Sequence, residues 1–170
     1  MSESMEVRKK QYIAWATENL ADKTGIWYAP YLEQLGSLLK RFGLGGGYYE
    51  NFFYYRVFSD FKDVYQKITD ETEADTNEVL KGKQKRYTKA FVVKNETWKT
   101  SYAQMEFDTG KRSKPDNFGG IPQLGTLLRS YLKFLYYAEN PQLVYPKKEA
   151  KTSTLDGQVD DSVNYWLYAP

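Results

Sequence analysis

The chain has 170 residues, enough for one domain with a real core and too few for two, and its 24 Lys and Arg against 22 Asp and Glu leave a net charge of only +2. Cysteine and histidine are both absent, which excludes disulfides, Cys/His zinc sites, thiol nucleophiles and every triad with an imidazole base. Aromatic residues make up 17% of the chain, with 16 Tyr, so surfaces with apolar faces and polar tips are expected.

Residues 1–10 are polar and charged, unlike a secretory signal, and no uncharged apolar run approaches the roughly 20 residues that span a bilayer. A cytoplasmic chain without membrane contact is expected. The spacing of Tyr12, Ile13, Trp15, Ala16 and Leu20 predicts a first helix over 4–21, with Gly25 taking positive φ as its stop. Trp27, Tyr28, Tyr31, Leu32, Leu35, Leu38, Leu39 and Phe42 repeat the helical period. Pro30 fits the first turn of a helix, which puts the start of this second helix at Trp27 or Ala29. Ser59 and Asp60 read as a cap for a third helix over 60–69, carrying Phe61, Val64, Tyr65 and Ile68 inward, and an acidic link follows. Residues 90–93 and 97–107 favour strands joined at Lys94, Asn95 and Glu96, a small hairpin that ends in the turn 108–111. The last helix runs from Ile121 through Leu135 to a stop at Asn140 and Pro141, and its wide apolar faces place it between other helices.

These elements predict a mainly α fold of four principal helices with a small inserted β-hairpin. Residues 1–145 form the helical module and 146–161 a linker. Residues 162–170 are strand-like, either pairing within this fold or opening a following domain. The expected core is Trp15, Leu20, Tyr31, Leu35, Leu38, Phe61, Val64, Ile68, Leu128, Tyr131, Leu132 and Leu135.

Little catalytic chemistry survives inspection. Gly45, Gly46 and Gly47 are followed by Tyr48 and Tyr49 rather than by the Lys of a Walker loop, so a turn is the better reading. The acidic residues between Asp60 and Glu78 lack a pocket and read as a solvated face. Asp116 with Glu149 and Lys151 spells a metal-nuclease string, but no apolar positions alternate with it as a strand requires. No catalytic residue, metal site or cofactor is expected. The remaining constellation is basic and aromatic: Lys83, Lys85, Arg86, Lys89, Lys94, Lys99, Lys111 and Arg112 could neutralise phosphates while Trp98 stacks on a base. A solvated hairpin with its Trp turned inward is the competing structural reading.

Two stretches carry a family resemblance. Residues 61–68 (FKDVYQKI) and 127–135 (LLRSYLKFL) resemble a pattern in N-terminal regions that precede the AAA+ motor of modified-cytosine restriction GTPases, the McrB-like family. Residues 12–42 are similar to small helical modules found there, which are like the DNA-clamping domains of tyrosine recombinases. Residues 165–170 (YWLYAP) look like the opening strand of an EVE (PUA-like) module that reads modified bases. The resemblance implies a non-catalytic DNA-binding or targeting module, with DNA, a downstream AAA+ motor domain and a partner nuclease subunit as partners. The alternative is an assembly module of the same system that makes no direct DNA contact and uses the aromatic surface around Tyr48 to Tyr55.

Overall fold

The structure, a computed structural model, describes residues 2–21, 23–41, 47–73, 89–114 and 120–145. Its regular elements among these residues are all helical: α1 (Ser2–Asn19), α2 (Thr24–Arg41), a 3-10 turn (Phe52–Tyr54), α3 (Phe58–Glu73), α4 (Lys89–Asp108) and α5 (Leu124–Glu139). No strand occurs among the described residues. The linker and the strand-like run of 162–170 lie outside them.

Helices α1 and α2 form an antiparallel pair. Met5, Tyr12, Ile13, Ala16 and Leu20 recur at helical spacing on the inner side of α1, with Trp15 at its flank. Gly25 is not a stop. It sits in the first turn of α2, where an added Cβ would lie 2.8 Å from the carbonyl oxygen of Ile13 and 3.0 Å from the Ala16 Cβ, so the two helices approach too closely there for a side chain. The left-handed residue of the turn is Lys23, at φ 69°. Nor does Pro30 mark the start of α2, which begins at Thr24. Pro30 lies on the exposed side together with Ile26, whose carbonyl loses its helical donor but can be met by water.

Helix α5 is central, and eleven of its sixteen residues are buried. Helix α3 lies antiparallel to it, with Phe58 against Tyr136, Phe61 against Tyr131 and the Tyr65 hydroxyl accepting from Arg129 Nη1 at 3.2 Å. The Tyr131 ring meets Tyr12, Phe53 and Phe61 edge-on, and its hydroxyl donates to the Tyr55 carbonyl at 2.7 Å. Such pairs add roughly 0.5–1.5 kcal/mol each beyond the area they bury. Of the expected core, Leu35, Leu38, Phe61, Ile68, Leu128, Tyr131, Leu132 and Leu135 are buried. Trp15, Leu20, Tyr31 and Val64 are partly buried and packed against them.

The expected hairpin is instead the single helix α4. Its inward residues Asn95, Trp98, Tyr102 and Ala103 follow a period of three to four, and Asn95, expected in a turn, is buried within the helix. Its side-chain oxygen accepts from the Leu124 amide at 2.6 Å, which satisfies a donor at the start of α5 that Gln123 leaves uncapped. The turn at 108–111 is present. Lys111 N–H donates to the Glu106 carbonyl and Gly110 N–H to that of Phe107, the paired bonds of a left-handed helix stop, with Gly110 at φ 81°.

The buried phenols make stability sensitive to alkali. Burial pushes Tyr12, Tyr102 and Tyr131 well above the ordinary 10.0 and Tyr48 up to about 12. The folded state therefore keeps protons that the unfolded chain releases near 10.0, so stability is full below that pH and is lost as pH rises toward the folded values. The urea midpoint should be flat up to about pH 9 and fall above about pH 10, with tyrosinate absorbance rising together with loss of helical circular dichroism.

Candidate interaction surface

The segment between α2 and α3 is a scaffolded aromatic ledge. Gly36 lets residues 49–50 rest directly on α2, where its N–H donates to the Glu50 carbonyl at 3.0 Å. Asn51 Oδ1 accepts from the Phe53 amide at 2.8 Å and caps the 3-10 turn. Phe52 and Phe53 are driven into the core by this turn. Tyr55 is also buried, and its hydroxyl accepts from the Tyr49 amide at 3.2 Å. Backbone and anchors are thus fixed from beneath.

What this scaffold presents is a pair of rings. Tyr49 is 52% exposed and Tyr54 45%, with centroids 5.4 Å apart. Tyr48, grouped with them by sequence, instead lies buried with Lys67 Nζ 5.3 Å above its ring. The charges around the pair are mixed: Glu50 and Arg56 are exposed beside it in the chain, and Asp60 acts electrostatically on the adjoining Tyr55.

Of the basic residues expected to hold DNA, those among the described residues do not share one surface. Lys83, Lys85 and Arg86 lie outside the described residues. Lys89 opens α4, and Lys94 and Lys99, both partly buried, follow it at intervals of five. Five helical residues turn the direction by about 140°, so these lysines cannot form one cationic stripe as they could along a ribbon. Lys111 is exposed. Arg112 is bound instead to Glu106, whose Oε1 accepts from Nε at 3.1 Å and Nη2 at 2.6 Å.

Trp98 cannot serve as a stacking platform. It is 0% exposed, packs against Tyr31 and Tyr102 at 5.9 and 5.5 Å, and donates its indole N–H to the Pro122 carbonyl at 2.8 Å. Among the described residues the exposed Trp is one whose helical spacing points inward: Trp27, 62% exposed near the start of α2.

Among the described residues no three His, Cys, Asp or Glu side chains gather as metal ligands, and no helix is long and apolar enough to cross a membrane. Asp60, Asp63 and Asp70 are exposed on α3, whereas Asp116, Glu149 and Lys151 lie outside the described residues. Compared with protein-family models, curated proteins and solved structures, the chain finds no match.

Proposed function

We propose that this chain is a non-catalytic interaction module that binds a protein partner through the Tyr49–Tyr54 ledge. The carrying observation is that two large rings stand half-exposed on an anchored backbone, the Tyr49 ring backed by the buried Tyr55 at 4.8 Å. Tyr is enriched at protein interfaces because it covers area at little entropic cost, and a pre-fixed backbone lowers the ordering cost of binding. Mixed charge around the ledge fits a protein surface better than a polyphosphate, which calls for one sign of charge. A restriction-type system, in which the partner is an AAA+ motor domain or a nuclease subunit, is supported by the sequence resemblance alone.

Direct DNA engagement is the competing reading, and it rests on the cations from Lys83 to Lys89. Two variants separate the readings. Tyr49→Ser with Tyr54→Ser should abolish partner cross-linking in cells at a stability cost of about 1–3 kcal/mol, since the contact of Tyr49 with Tyr55 goes together with that between the two exposed rings. Changing Lys83, Lys85, Arg86 and Lys89 to Ala should leave that cross-link intact. A partner complex that survives high salt and depends on the two tyrosines supports the proposal. Affinity for any DNA that falls steeply with salt and vanishes in the quadruple variant would overturn it in favour of phosphate binding.

A further inference from the structure

The main chain of the ledge restricts what can bind there. An added strand is held by a row of unpaired main-chain groups at alternate residues. Here the amides of Tyr49, Phe53, Tyr54 and Tyr55 already donate, to the Tyr55 hydroxyl, Asn51 Oδ1, the Asn51 carbonyl and the Phe52 carbonyl. Both alternating sets therefore contain spent donors, and residues 52–54 are wound into the 3-10 turn rather than extended. Strand addition is ruled out.

A helix lying in a groove is gripped at positions i, i+3 or i+4 and i+7, a run of about 10 Å. The Tyr49 and Tyr54 centroids, 5.4 Å apart, cover only one turn of that run. Phe52, Phe53 and Tyr55, their neighbours in the chain, are buried and add nothing to it.

A polyproline II segment fits what is left. With three residues per turn, two of every three side chains can face one surface, about 3–6 Å apart along the axis, a step that brackets the spacing of the two rings. Its carbonyls make no internal hydrogen bond. On the ledge, no hydrogen bond within the described residues engages the hydroxyl of Tyr49 or Tyr54, so both can donate. The two half-exposed rings offer on the order of 200 Å², against roughly 800 Å² per partner in a standard globular interface. So small a contact favours a ligand already ordered before it binds.

We infer, resting on the reading of the ledge as an interaction surface, that it binds a proline-rich segment of its partner in the polyproline II conformation. The rings stack on the prolines, and the hydroxyls of Tyr49 and Tyr54 donate to the carbonyls of the segment.

The full chain, immobilised and offered a display library of ten-residue peptides randomised at every position, should select peptides enriched in proline. The Tyr49→Ser, Tyr54→Ser chain should not. Titration with a proline decamer should shift the amide NMR signals of residues 49–55 saturably. Tyr49→Phe with Tyr54→Phe keeps both rings and removes both hydroxyls, so it should weaken the decamer roughly tenfold or more at unchanged circular dichroism. Peptides with apolar residues at i, i+3 and i+4 that depend on the two tyrosines would overturn the proline assignment and leave the ledge as an interaction surface. No selection, selection indifferent to both tyrosines, decamer shifts confined to other residues, or undiminished affinity in the Phe pair would each overturn the inference. Cross-linking of the double Ser variant in cells then decides separately whether the ledge binds a partner at all.

Discussion

Gly36→Ala should lower stability by about 2–3 kcal/mol although Ala is the better helix former. The added Cβ would stand 2.6 Å from the carbonyl carbon of Tyr49 and 2.7 Å from the Glu50 Cα, closer still to the Tyr49 oxygen, and all three are backbone atoms that no rotamer change can move. Overpacking of this kind costs roughly 1–3 kcal/mol or more, and the strained Gly36 to Glu50 hydrogen bond is worth about 1 kcal/mol. The gain in helix propensity, about 1 kcal/mol, does not offset the two together. Thermal unfolding should report a fall in Tm of roughly 6–12 °C.

The same substitution must lift residues 49–50 away from α2, so it should also weaken partner binding through Tyr49 in whatever fraction remains folded. Gly25→Ala is the comparison. Its nearest obstacles, the Ile13 backbone and the Ala16 Cβ at 2.8–3.0 Å, belong to a neighbouring helix that can shift slightly, and the ledge is untouched. It should cost stability without affecting partner binding. A Gly36→Ala protein more stable than the parent by the propensity gain would show that the ledge does not rest on α2.

The elements most legible in the sequence were those whose buried face is mainly apolar and repeats at helical spacing. In α5, Leu124, Leu128, Tyr131, Leu132 and Leu135 repeat at helical spacing and all are buried. In α3, Phe61 and Ile68 do the same, although the helix runs on to Glu73 through acidic residues that no apolar pattern marks. Helix α4 was misread because its inward line includes Asn95, whose value lies in capping another helix and cannot be seen locally. Its Val92, Val93, Trp98 and Tyr102 then score as strand formers, a preference that tertiary contacts override.

The functional candidates divide along similar lines. A basic aromatic stretch looks like a strand-binding surface only if its residues point the same way, and a helix turns the lysines apart while carrying Trp98 inward. The ledge was legible as an aromatic cluster, but which of its rings faces water was not. Tyr48 is buried and Tyr49 exposed because the chain lies flat against α2 at Gly36, a contact between residues far apart in the sequence. No short-range pattern encodes that.

Trp98→Ala should be the most destabilising single truncation, costing about 3–5 kcal/mol. Trp98 is the largest fully buried side chain among the described residues, and its loss removes the ring that both Tyr31 and Tyr102 meet edge-on between α2 and α4. The Pro122 carbonyl also loses its donor, which frees the chain just before α5, where Asn95 caps the Leu124 amide. Trp98→Phe keeps much of the volume and lacks only the N–H, so its cost should be nearer 1–2 kcal/mol. A Trp acting as a stacking platform predicts the reverse: truncation would remove roughly 1–3 kcal/mol of single-strand binding and leave the fold intact. Urea unfolding of the two variants beside single-strand titrations of their folded forms decides the matter. A Trp98→Ala protein of native stability would mean that the indole does not fill the space between α2, α4 and α5, and the assignment of the basic stretch to a helix packed inward would fall with it.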